Sequence, residues 1–505
     1  MCAEEPILDT KERRLCFECV GEKFLRAEIE RDGDDGPCFY CEQERKTFSI
    51  DQVANFVYAG LSAFFEPVVQ YPPDIQSTLE QMAPDRGENE ADKGQRVADV
   101  IKDEAGICET AAEDIRRVLT ERYPEEPDLI DLRREIAEPV EQDETGFKEG
   151  PFDPEAHYIK RDSVDAWDFE RDWSLFERSL KRETRYFNRT AEAILTTIFE
   201  GIDEHHTING RSLVAEAGPG TELAQLYRAR VFQGEEKLEE AMKRPDMHVG
   251  PPPSAVAVAG RMNAAGIAVF YGATSAEVAL AEVRPPVGSK VLIGCFQVVR
   301  SLRLLDLSAL EFIADEHGSI FDADHIHRLK RAKFLRGLSQ RISRPVMPDD
   351  QTRDYIPTQA IADFLATVAS PPWDGIIYPS MQVAQMLPSY RRRIFRIGSS
   401  VGSRNVILFH KWASVQALDI PDGADISVFN GSQSLLGLAG IYDNPEVYYA
   451  VFEKKASAAS SPQLDDAPLE FSTLEVHYVK SVKFDTVSGP VPRYPAGNRE
   501  PKEGD

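Results

Sequence analysis

Between residues 171 and 200 no Gly or Pro interrupts the chain, and Trp173, Phe176, Leu180, Phe187, Ala191, Ile194 and Ile198 recur at helical spacing. That stripe predicts one long amphipathic helix with its apolar face in a core. Residues 51–205 read as helical throughout, apart from an acidic, Pro-punctuated stretch at 123–156 that predicts a long connection or an exposed hairpin. From about 207 the texture changes. "LYRARVF", "IAVFYGAT", "KVLIGCFQVV", "GIIYPS", "NVILF", "EVYYAVFE" and "LEVHYVKSVKF" are rich in β-branched and aromatic residues and bounded by turn formers, which predicts strands. Short helices fall between them, such as "TQAIADFLATV", with Thr358 as N-cap after Pro357. Residues 455–468 form a Ser/Ala/Pro loop, and the chain beyond 488 reads as a flexible tail. Residues 1–50 hold Cys pairs and Gly/Asp turns with little periodicity. The expected organisation is multi-domain α+β, with segments at 1–50, 51–205, 207–487 and 488–505.

At 505 residues the chain suits two or three domains, and 42% hydrophobic residues suffice for real cores. Its net charge of −27 repels phosphate backbones, so nucleic acid is disfavoured as a partner unless a local basic patch overrides the field. No apolar run has the length of a membrane span, and the first residues lack the apolar core of an export signal. A cytoplasmic location is therefore expected. There, seven cysteines stay mostly reduced, and paired ones become candidate metal ligands rather than disulfides.

"CFEC" at 16–19 and "CFYC" at 38–41 are two C-x-x-C knuckles with 18 residues between them. Two residues between thiolates let both sulfurs reach one tetrahedral ion, and the intervening loop closes the other half. Cys16, Cys19, Cys38 and Cys41 are thus the expected ligands of one zinc ion. Four thiolates leave no open position for water, so the ion is expected to be structural. Cys295, inside a strand, reads as a small core residue.

A second constellation runs from 227 to 409. Alternation in "LYRARVF" puts Arg228 and Arg230 on one strand face, where burial demands an anion or a carboxylate as partner. Arg261 sits in the Gly-framed turn of "AGRMNAAG", Tyr271 ends the next strand, and Glu282 follows on a short helix. Ser380 stands where the apolar strand of "GIIYPS" ends. Taken singly, each has an ordinary explanation: an ion-paired Arg, a core Tyr, a turn Ser, a helix-end Glu.

In order, "YRAR", "GRMNAAG", "FYGAT", "ALAEVRP", "RLLDLS", "YIPTQ", "GIIYPS" and "NVILF" resemble the RES domain, named for Arg, Glu and Ser, over roughly 215–485. One departure is Met262, where many relatives carry Trp. The resemblance implies an ADP-ribosyltransferase-like fold that consumes NAD+ as a phosphorylase or glycohydrolase, often as a toxin; transfer of ADP-ribose is the lesser alternative. It also implies site residues: Glu282 to stabilise the oxocarbenium-like ribose, and Arg228 and Arg261 for the diphosphate. Tyr271 would stand against the nicotinamide ribose and Ser380 at the nicotinamide end, with Arg230, Tyr227 and Asn405 as additions. No G-x-G-x-x-G fingerprint is found, so NAD+ is expected as substrate and not as hydride carrier.

The zinc knuckle and helical region resemble the amino-terminal domain that accompanies some RES domains and is grouped with HEPN bundles. "RNVILFH", Arg404 to His410, has the Arg-to-His spacing of HEPN ribonucleases but lies in a β-branched run and reads as a strand. A sensing, inhibitory or oligomerising role is expected for this half. The expected partners are NAD+, inorganic phosphate, an antitoxin-like inhibitory protein and further copies of the chain, with no membrane. The rival hypothesis is a non-catalytic zinc and helical module that recognises nucleic acid or a partner protein.

Overall fold

The structure, a computed structural model, describes residues 9–68, 94–124, 150–315, 317–344, 346–380, 403–418, 420, 426–430, 449–453 and 467–482. Most of the acidic 123–156 stretch, most of the 455–468 loop and the tail beyond 488 lie outside these residues. The chain divides into one unit of Met1–Leu213 with Leu307–Ile342 and a second of Val214–Asp306 with Ser343–Asp505. The stretch expected as a single 207–487 domain is thus interrupted, because residues 307–342 pack in the first unit.

In the first unit, β1 (Arg14–Cys16), β2 (Asp34–Pro37) and β3 (Glu44–Ser49) form an antiparallel sheet in the order β1-β3-β2. Among the described residues four helices line one core: α1 (Lys23–Asp32), α2 (Ile50–Phe64), α3 (Val97–Ala105) and α4 (Glu109–Arg122). α2 starts at a capping box, Ser49 and Gln52 each accepting from the other's backbone N–H, which satisfies two orphan donors of its first turn. Leu25, Ile29, Val53, Val57, Ile101, Ile115 and Leu119 are its fully buried apolar residues at helical spacing. A small sheet of β4 (Phe65–Pro67), β5 (Gln95–Arg96) and β6 (His157–Lys160) follows, in the order β4-β6-β5.

The helix expected over 171–200 is two helices, α5 (Trp167–Arg182) and α6 (Arg189–Phe199). Trp173, Phe176, Leu180, Ala191 and Ile198 are buried as the stripe required, but Phe187 is 99% exposed with φ +55°. The reason is a side chain competing for the backbone. Asn188 caps α6 by accepting from Ala191 N–H, and its amide donates to the Thr184 carbonyl at 2.8 Å. That breaks the ladder without Gly or Pro. Against α5 lies the helix Ala323–Ser343, whose Phe334 stacks on Phe169 at 5.7 Å between centroids.

The second unit is built on an eight-stranded mixed sheet. Its strands are β7 (Val214–Ala217), β8 (Gln225–Phe232), β9 (Phe270–Ala273), β10 (Lys290–Val298), β11 (Leu302–Asp306), β12 (Gly375–Pro379), β13 (Arg404–Leu408) and β16 (Leu469–Tyr478). The order is β16-β10-β8-β9-β13-β12-β11-β7, with β11 and β12 the parallel pair; β14 (Ile426–Asn430) and β15 (Tyr449–Glu453) form a separate antiparallel pair. Arg404–Leu408 is a strand, as read from "RNVILFH". One sheet face carries Leu226, Phe270, Leu292, Phe296, Ile377, Val406 and Leu408 in the larger core. The other carries Ala229, Ala273, Val291 and Ile293, covered by Val278 and Ala279 of α7 (Ala276–Glu282). α8 (Ile356–Thr367) begins one turn earlier than Thr358 suggested, since Pro357 fits its first turn; Thr358 is buried inside it.

Candidate functional site

β9 leads into the helix that carries Glu282. Thr274 N–H donates to the Arg404 carbonyl at 3.0 Å, which ties the end of β9 to β13. Ser275 then caps α7, its hydroxyl accepting from Val278 N–H. Seven residues are too few for a helix that stands alone. Burial of Val278 contributes roughly 1.5–3 kcal/mol, and this docking holds α7 against the sheet. Its last residue is Glu282, which is exposed while its neighbours on the helix are not.

The carboxylate is held at one oxygen. Ser380 Oγ donates to Glu282 Oε1 at 2.7 Å, and Asn405 Nδ2 donates to the same oxygen at 2.9 Å. Both donors are buried, at 1% and 4% exposure, so they are rigid fixtures beneath an open acid. Asn405 pairs with Tyr378 across β12 and β13, and Ser380 follows β12 directly. Among the described residues nothing engages Oε2. The arrangement therefore fixes the carboxylate and leaves one oxygen for a ligand.

A second group is built around Tyr271. Its hydroxyl donates to Asn263 Oδ1 at 2.8 Å and accepts from Met262 N–H at 3.0 Å. A Cβ on Gly260 would come within 2.6 Å of both the Tyr271 hydroxyl and Asn263 Oδ1, which explains the glycine. The "YIPTQ" segment clamps the same turn: Thr358 Oγ1 donates to the Arg261 carbonyl, and Gln359 Nε2 donates to the Gly260 carbonyl at 2.8 Å. The Arg261 guanidinium lies 5.1 Å from the Tyr355 ring centroid. Burial pushes the Tyr271 phenol up to about 12. Its donor is committed to the turn, so what it offers a ligand is its ring.

Tyr378 links the two groups. Burial, then the Glu282 charge, push its phenol well above the usual range, and Tyr271, Arg261 and Tyr355 are also within electrostatic reach. Glu282, held by Ser380 and Asn405, and the turn of Tyr271 and Arg261 thus both lie within electrostatic reach of Tyr378.

Arg228 lies within electrostatic reach of Tyr271 but makes no bond to the Glu282 group among the described residues. By alternation it shares a strand face with Leu226, and its guanidinium lies 5.4 Å from the Phe270 ring centroid. The β8–β9 ladder closes at the single pair Tyr227↔Ala273, so Arg228 and Arg230 lie past the last hydrogen-bonded position of that seam. Arg228 Nη1 and Arg230 Nε are buried with no hydrogen-bond partner, while Arg230 Nη2 donates to the Gly250 carbonyl at 3.3 Å. Burial first, then Arg230, lower the Arg228 pKa to about 9. A guanidinium stays charged at neutral pH all the same, so the pair is an unsatisfied positive site. Tyr227 lies on the opposite face, its hydroxyl donating to Gln225 at 3.3 Å, with no bond to the Glu282 group among the described residues.

Sequence reasoning passed over Asn263, Tyr378 and Gln359, and it gave Asp306 no role. Asp306, in "RLLDLS", accepts from Arg404 Nη1 at 3.0 Å, both groups nearly fully buried, next to Asn405 on β13. The quoted motifs contained all four, but only the folded chain shows what each touches.

In the first unit, the sulfurs of Cys16, Cys19, Cys38 and Cys41 all lie within 4.8 Å of one another, with no disulfide. Cys16 and Cys41 are 3.6 Å apart and Cys19 and Cys38 3.9 Å. A tetrahedral ion with bonds of about 2.3 Å requires edges of about 3.8 Å. Cys16 N–H also donates to Cys38 Sγ at 3.4 Å. These four residues can bind a metal ion. Among the described residues no helix is long and apolar enough to cross a membrane.

Residues 225–412 match the family model of the RES domain. That span runs from β8 through β13 and contains every site residue of the second unit. Comparisons with curated proteins and with solved structures found no match.

Proposed function

Starting from a RES domain over 225–412, we propose that the chain cleaves the bond between nicotinamide and ribose in NAD+, as a phosphorylase or glycohydrolase. RES domains are associated with NAD-related toxin–antitoxin systems, which supports a toxin or defence role. The observation that carries the reading is Glu282, anchored at Oε1 by two buried donors with Oε2 open. As the C1′–N bond breaks, its electron pair leaves with nicotinamide and positive charge develops on the ribose carbon. A carboxylate fixed in advance beside that carbon stabilises the charge without reorganising. Phosphate or water then adds at C1′, and water gives up its proton. Arg261 and the unsatisfied Arg228 and Arg230 are the nominees for the diphosphate, because guanidinium forks suit phosphate oxygens. Tyr271 would present its ring to the nicotinamide ribose. We infer an ADP-ribosyltransferase-like arrangement for this unit and zinc as the ion of the four cysteines, whose full coordination makes it structural.

The test is to incubate purified protein with NAD+, with and without phosphate, and to identify the products. ADP-ribose-1″-phosphate means phosphorolysis and ADP-ribose means hydrolysis. Glu282→Gln is expected to slow consumption at least ~100-fold with its fold unchanged. Intact NAD+ with the wild-type protein, or full activity in the variant, overturns the assignment.

A further inference from the structure

The turn between α5 and α6 has an unusual surface. Arg182, Glu183, Thr184, Arg185, Tyr186, Phe187, Arg189 and Thr190 are all exposed, Tyr186 at 82% and Phe187 at 99%. The turn is nevertheless well tied. Thr184 Oγ1 donates to the Tyr186 carbonyl at 3.0 Å, and Asn188 Nδ2 donates to Ser179 Oγ at 3.1 Å and to the Thr184 carbonyl at 2.8 Å. Phe187 is held in the left-handed region, which a non-glycine residue adopts at a cost in energy. A strained, pinned turn that turns two large rings out to water spends stability on display.

The charge around the rings is equally out of character. Residues 181–190 hold four basic side chains and one acid, a net of +3, in a chain whose net charge is −27. Among the described residues Arg182, Arg185 and Arg189 make no ion pair or hydrogen bond, although acids outnumber bases 85 to 58. Tyr, Phe and Arg are the side chains that dominate protein contacts, and a rigid turn loses little entropy when it docks. The two rings offer about 300–500 Å² of contact, against about 800 Å² per partner in a standard interface.

We propose that this interhelix turn is a contact through which one copy of the chain docks on the acidic surface of a second copy. Charge complementarity selects that occupant: the tip is positive and the rest of the chain is strongly negative. The same charge excludes a tip-to-tip contact, since two such tips repel. The contact is therefore heterologous, tip to acidic surface, and closes into a ring or grows as a chain. Nucleic acid would have to overcome the field of the whole molecule. The inference does not rest on the NAD+ reading.

Sedimentation velocity of the full-length protein over a wide concentration range, at low and high salt, tests it. Mass is expected to rise with concentration at low salt and to fall back with added salt. Phe187→Gly and the double variant Arg185→Glu, Arg189→Glu are each expected to weaken association at least ~10-fold. Glycine suits φ +55°, so the Phe187→Gly melting temperature holds or rises while association falls, which separates docking from folding. A single-chain mass at every concentration overturns the proposal, as does association that neither variant weakens. So does binding of a labelled single-stranded RNA that Phe187→Gly abolishes, with no self-association in the wild type.

Discussion

Asn405→Asp is the most informative single change at the proposed site. It replaces the Nδ2 that donates to Glu282 Oε1 at 2.9 Å with a second carboxylate oxygen at nearly the same place. Two unit charges at that separation repel by about 6 kcal/mol at an effective dielectric near 20. Glu282 is exposed and solvent screens it, so about 1.5–3 kcal/mol is the realistic range. Each pH unit is worth about 1.36 kcal/mol, so the pair holds its shared proton to a pH about 1–2 units higher than an isolated carboxylate would. The sign follows from the mechanism. Only ionised Glu282 stabilises the developing ribose cation, so the acid limb of the rate profile moves to higher pH, and activity recovers as pH rises. Asn405→Ala is the control: it removes the same donor without adding a charge beside Glu282, costing about 0.5–1.5 kcal/mol or up to roughly tenfold in rate. The assay is NAD+ consumption by both variants and the wild type across the pH range in which the fold is stable. An acid limb in Asn405→Asp that coincides with the wild type refutes the reasoning, because Asn405 would then not face Glu282 in the working protein.

Arg228→Met removes a buried guanidinium whose Nη1 has no partner, so unfolding free energy is expected to rise by about 1–2 kcal/mol while the NAD+ requirement increases at least tenfold; a lower melting temperature would show that Arg228 supports the fold. Cys19→Ser should lose the metal, about one zinc per wild-type chain by elemental analysis, and destabilise the first unit; wild-type stability without metal refutes a structural ion.

Much of this protein was legible without coordinates, and for a local reason. The knuckle spacing of Cys16, Cys19, Cys38 and Cys41 expresses a short-range geometric demand, and their sulfurs do lie together. Strands β8, β10, β12 and β13 were read from side-chain type and alternation, both properties of a few adjacent residues. Where reading failed, a competing interaction of longer reach had won. The uninterrupted stripe over 171–200 broke because the Asn188 side chain captured backbone groups, a choice that apolar periodicity does not encode. Thr358, read as a cap, is buried beneath the Arg261 turn.

Sequence alone determined which residues carry charge, thiols and hydroxyls, and the order in which their motifs follow one another. Tertiary structure decided which of them meet. It set Ser380 and Asn405, 98 and 123 residues beyond Glu282, on one oxygen of its carboxylate, and committed the Tyr271 hydroxyl to a turn. It also put Arg228 on the strand face of Phe270 and left its Nη1 without a hydrogen-bond partner. The physical reason is that side-chain type is written residue by residue, whereas contact depends on strand order, register and face, which the packing of the whole sheet selects.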